Sequence, residues 1–162
     1  MKHLFLISFI ILFCNTLSFS KGNEPIAFPV FKLLKMDSSS YLTHKDLKDS
    51  VYTVFINFSP SCDHCERTIE SILNNIQKFN NTQFVLTSFE TFSNIRKFYF
   101  DKGLNSFTNV FIGYEFDFTL TRQVKYSSFP CLVLFDNSRK YIKTIDEETN
   151  AKVLLKALKI TK

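Results

Sequence analysis

The chain has 162 residues, 45% of them apolar, with 20 Phe and 6 Tyr, no Trp and only three Gly. That size and composition suit one packed domain and exclude a disordered chain, while so few glycines leave no phosphate-binding loop. The net charge of +5 comes from scattered lysines, often beside acids as in "KDLKDS", so no basic stripe offers itself to nucleic acid.

The first twenty residues, "MKHLFLISFIILFCNTLSFS", read as a secretory leader. Lys2 and His3 form a short basic start, and Leu4 to Phe13 form an apolar block shorter than the roughly 18 residues a membrane span needs. Ser18 and Ser20 are small residues placed for cleavage, which predicts a cut near Ser20 and an extracytoplasmic protein, with an uncleaved anchor as the alternative. Cys14 leaves with the leader, and bulky Phe13 argues against a lipid-attachment cysteine there. Cys62, Cys65 and Cys131 stay in the mature chain, an odd and sparse set that suits chemistry better than a disulfide scaffold.

Residues 21–25 read as a tether before a domain covering 26–162. "IAFPVFKLL" (26–34) predicts an edge strand interrupted by Pro29, and the polar segment after it predicts turns with a short helical turn near His44, itself expected in solvent. "VYTVFINF" (51–58) is β-branched and aromatic, and predicts a buried strand. From Cys62 the period becomes helical, with Ile69, Ile72, Leu73, Ile76 and Phe79 on one face. A strand at 82–88 precedes a helix carrying Phe92, Ile95, Phe98 and Tyr99 inward, with Gly103 just past its end.

"NVFIGYEF" predicts a short strand, and residues 117–128 a short helix opened by Asp117. "PCLVLFD" and "KYIKTI" predict a hairpin turning at "DNSR". A last helix has acids at its start, lysines towards its end, and Val153, Leu154, Ala157 and Leu158 inward. Glu90, Asp101 and Asp136 stand at element ends, where acids usually cap or solvate turns. The order of elements calls for parallel crossovers first and antiparallel pairing later.

The pair "CDHC" stands where a strand hands over to a helix. Cys62 falls at the first helical turn, where unpaired backbone N–H groups favour an anion, and the thiolate is the nucleophile of disulfide exchange. Cys65 follows one turn later on the same side. Between them, a protonated His64 favours the reduced pair while Asp63 opposes it, so the sequence does not set the direction of electron flow.

"FSPSCDHC" after a strand, "SSFPCLVLFD" further on, and a terminal hairpin and helix together resemble the thioredoxin superfamily, in the manner of the exported TlpA/ResA-like thiol–disulfide oxidoreductases of bacteria. The resemblance spans roughly residues 26 to 160 and implies an α/β three-layer sandwich with a central mixed β-sheet flanked by helices. It further implies a catalytic Cys62–Cys65 pair tuned by His64, and a cis-Pro130 that with Phe129 positions substrate. No cofactor is implied; the partners are protein thiols or disulfides and a redox partner protein, in a periplasmic setting. Two departures stand out. Ser61 replaces the usual tryptophan, and Ile56 occupies the place of a buried acid, so Cys65 needs water or another side chain to take its proton.

Three alternatives compete. Cys62, Cys65, His64 and Cys131 offer soft ligands for an exported copper or zinc chaperone. Ser59, three residues before Cys62, echoes a thiol peroxidase, although Phe55 stands where a proline is wanted. A static disulfide is the third. Cys131 itself reads either as a small buried residue or as a third thiol beside the pair, and exposed phenylalanines around Phe129 would form a groove for partner proteins.

Overall fold

A period of two runs through the central strands and sorts their side chains onto two faces. The computed structural model describes residues 26–159; the expected leader (1–20) and tether (21–25) lie outside the described residues. Strands β1 (Lys32–Leu34), β2 (Tyr41–Thr43), β3 (Tyr52–Asn57), β4 (Thr82–Ser88), β5 (Val110–Tyr114), β6 (Cys131–Phe135) and β7 (Tyr141–Ile145) form one sheet in the order β2-β1-β5-β4-β3-β6-β7. The helices are α1 (Asp63–Leu73), α2 (Phe92–Asp101), α3 (Thr119–Val124) and α4 (Ala151–Ala157).

Val54, Ile56, Phe84, Leu86, Leu132 and Leu134 pack with Ile69 of α1, Ile95 of α2 and Leu154 of α4. Their neighbours Phe55, Val85, Cys131, Val133 and Phe135 pack on the opposite side with Leu120 and Val124 of α3. The result is the expected α/β sandwich: a mixed sheet between two helical layers. α1 and α2 make the crossovers between parallel β3, β4 and β5, while β6 pairs antiparallel with both β3 and β7.

Several boundaries differ from the sequence reading. The strand expected over 26–34 shrinks to Lys32–Leu34, because Gln123 of α3 hydrogen-bonds both the N–H and the carbonyl of Val30. β2 lies in the segment expected to be turns. There the Asp37 carboxylate accepts from the Ser39 and Ser40 N–H groups and folds the chain back onto β1.

The helix expected to run through Phe79 stops at Asn74, and Ile76 belongs to a separate 3-10 turn. The acids expected at the start of α4 precede it, the cap being Asn150, and Val153 faces solvent. His44 is partly buried against Phe31 rather than solvated. Gly103 ends α2 at φ 58°, a left-handed position that suits glycine. Gly113 lets β1 approach β5, since a Cβ there would sit 2.4 Å from that of Leu33. Among the described residues no helix is long and apolar enough to cross a membrane.

Candidate active site

The site forms where the end of β3 meets the start of β6. Asn57 and Cys131 are paired across the two strands, so the segments leaving them, 58–62 and 127–130, lie side by side. The chain turns through Ser59-Pro60-Ser61, with the Cys62 N–H donating to the Ser59 carbonyl, and enters α1. Cys62 is the N-cap: its backbone is extended and its sulfur accepts the Cys65 N–H at 3.3 Å.

A sulfur in that place takes one of the helix's unpaired donors and sits at its positive end. The Phe129–Pro130 peptide is cis, as expected, and the Phe129 carbonyl oxygen lies 3.9 Å from the Cys62 sulfur.

The three thiols differ sharply in setting. All are free; Cys62 is partly exposed, while Cys65 and Cys131 are buried. Burial pushes the Cys65 thiol up to about 12, its hydrogen bond to Cys62 adds to the rise, and the Ser59 backbone amide opposes it. Cys131 also stands at about 12, from burial and from donating to Asp146 Oδ1 at 2.9 Å. Its sulfur is buried and held by Asp146. Among the described residues no group of three or more His, Cys, Asp or Glu side chains is arranged to hold a metal ion.

His64 is turned towards charge partners other than Cys62. Its Nδ1 lies 2.5 Å from Glu148 Oε2 and 2.7 Å from Arg67 Nη2, and Arg67 also holds both Glu148 oxygens. Arg67, then His64, lowers the Glu148 carboxyl to about 2. Arg67 feels the Cys62 sulfur as well, so α1 brings a fixed cation towards the pair.

Ile56 is buried between Leu86 and Leu132 in the sheet, confirming that no acid lies in that position. The Ser59 hydroxyl, the peroxidase-like feature, instead donates to Glu90 Oε1 and lies 2.9 Å from Ser61 Oγ. Phe129, Phe89 and Phe118 form an exposed ladder beside Cys62, with ring centroids 5.7 and 5.3 Å apart.

Sequence reasoning missed Arg67 and Glu148, and read Glu90 only as an acid at an element end. Arg67 carried one weak signal, its place one turn after His64 on the face that starts with the cysteines. Nothing local marked Glu148 or Glu90, whose partners lie 81 and 31 residues away.

Solved structures with the same fold confirm the architecture. No protein-family model and no curated protein matches the sequence. A putative thioredoxin from Neisseria meningitidis superposes with a TM-score of 0.67 at 20% identity, covering 84% of this chain and 89% of that one. A secreted Mycobacterium tuberculosis disulfide oxidoreductase, described as homologous to E. coli DsbE, gives 0.65 at 14% identity over 81% and 96% of the two chains. StoA from Bacillus subtilis gives 0.62 at 12% identity, over 82% and 98%. The fold is thioredoxin-like.

Proposed function

We propose that this protein is an exported thiol–disulfide oxidoreductase that exchanges disulfides with protein substrates through Cys62 and Cys65. One observation carries the reading: a partly exposed sulfur caps α1 and accepts the N–H of a second, buried cysteine one turn on. Cys62 forms the mixed disulfide because it is the thiol a substrate reaches, and Cys65 resolves it from behind. The chemistry needs no cofactor, and it runs as reduction or oxidation according to the potential of the pair.

Phe129 and Pro130 flank the sulfur and position the substrate chain, with the phenylalanine ladder as its apolar floor. His64 acts on the pair together with Arg67 and Glu148. The leader of residues 1–20 supports an extracytoplasmic, periplasmic site of action, in keeping with a secreted oxidoreductase among proteins of the same fold.

The test is trapping. A Cys65→Ser variant, incubated with a disulfide-containing protein, should accumulate a mixed disulfide at Cys62, and the parent protein should turn that substrate over. Absence of both the adduct and turnover would reject the proposal.

A further inference from the structure

β5 has a backbone edge that the fold leaves unused. Successive residues of a strand turn their N–H and carbonyl groups to opposite sides within the sheet. Two bonds fix which residues of β5 face β4: the Phe84 N–H donates to the Asn109 carbonyl, and the Glu115 N–H donates to the Ser88 carbonyl. Asn109, Phe111, Gly113 and Glu115 therefore face β4, and Val110, Ile112 and Tyr114 face away from it.

Tyr114 is paired with Leu34 of β1, and there the pairing of the two strands ends. β1 turns off at that point, because the Lys35 N–H donates to the Ser40 carbonyl and the Ser38 N–H to the Lys35 carbonyl. The outward N–H and carbonyl groups of Val110 and Ile112 find no partner among the described residues. Both residues are buried, and buried backbone groups without partners cost free energy that an added strand would recover.

The edge lies in a cleft of about 650 Å³, which Val110, Phe111 and Ile112 line together with Met36, Tyr99 and Leu104. Two cations also line it, Arg96 of α2 and Lys35, and neither enters an ion pair among the described residues. Arg96 lies over the Phe100 ring, 5.7 Å from its centroid. Lys35 feels Asp46, whose carboxylate is held by Thr43. Asp37, the acid of the lining, spends its oxygens on Ser39 and Ser40.

We propose that an extended polypeptide segment carrying an acidic residue docks in this cleft as an added strand on β5. Its backbone bonds Val110 and Ile112, its apolar side chains enter the cleft, and its carboxylate meets Arg96. A second copy of the chain fits less well, since a twofold pairing of this edge would bring two sets of Arg96 and Lys35 together. The cleft shares no lining residue with the cysteine pair.

The probe is the fluorescein-labelled peptide amide Thr-Val-Thr-Val-Asp, titrated into the full-length protein by fluorescence anisotropy. It should bind saturably, and the Ile112 N–H should exchange with solvent at least about tenfold more slowly in the complex. The Phe111 N–H, which faces β4, should be protected with or without peptide. Two further peptides, N-methylated at the valines or at the threonines, block one side of the strand each, and one of them should bind about tenfold more weakly. Val110→Pro removes an outward N–H at the first residue of an edge strand, where proline is tolerated, and should weaken binding severalfold. Arg96→Glu should weaken it about tenfold and make a peptide ending in lysine the better ligand.

No saturable binding, no added protection at Ile112, or two methylated peptides that bind as well as the parent would each overturn the proposal. Protection of Ile112 on concentrating the protein alone, with a dimer in sedimentation velocity, would overturn it in favour of a second copy.

Discussion

Cys65 and Cys131 are a matched pair with opposite prospects. Both are buried, both belong to the walls of the same site, and burial lifts both thiols to about 12. They part in what surrounds the sulfur. Cys65 lies one helical turn behind Cys62, whose sulfur accepts its N–H, and the Ser59 amide opposes part of the rise. Cys131 lies at the start of β6, donates to Asp146, and packs in the layer on the opposite face of the sheet from α1. Burial alone does not make a redox thiol. A second sulfur within reach does.

The largest effect expected is from Cys62→Ser. It removes the reachable sulfur, and disulfide exchange should fall to the uncatalysed background in a reductase assay with a protein disulfide. Cys65→Ser comes next, stalling turnover after one mixed disulfide forms, which mass spectrometry of the trapped adduct would show. If Cys131→Val stalled turnover in the same way, the contrast between the two buried thiols would fail.

Instead, Cys131→Val should change the exchange rate by less than about threefold, since it shares no hydrogen-bond partner with the pair. Its signature should be in stability. A thiol lifted from the usual range to about 12 stabilises the fold below its unfolded value, and that contribution is lost as pH rises from about 9 towards 12. Urea unfolding over that range should show a flatter loss in Cys131→Val than in the parent.

The smallest effect is expected from Glu148→Gln. The Glu148 carboxyl is lowered from 4.5 to about 2, so its contribution is present above the unfolded value and fades as pH falls towards 2. The variant should lose less stability on acidification. It should also alter the reduction potential of the pair, because it leaves the Arg67 charge uncompensated near Cys62.

Local patterning made much of the molecule legible. The apolar runs of β3, β4 and β6 and the helical spacing of Ile69, Ile72, Ile95 and Phe98 named the layers, because each pattern matches one backbone period. The cysteine pair was legible for a related reason: its place at a strand-to-helix junction is itself a local fact.

Features set by distant contacts were not legible. β1 starts late because a glutamine on α3 takes the backbone of Val30. The bond that holds the Ser59 hydroxyl depends on Glu90, and the charge cluster at His64 on Glu148, each brought in from another part of the chain. Ile56 could be read as a missing acid, but no spacing rule says where a substitute would stand.

Competitive alkylation decides most directly whether Cys62 is the reacting sulfur. The reduced, folded protein would be treated briefly with limiting iodoacetamide at neutral pH and mapped by peptide mass spectrometry. Modification should fall on Cys62, with Cys65 and Cys131 labelled only after unfolding. Labelling of Cys65 or Cys131 ahead of Cys62 in the folded protein would contradict the assignment.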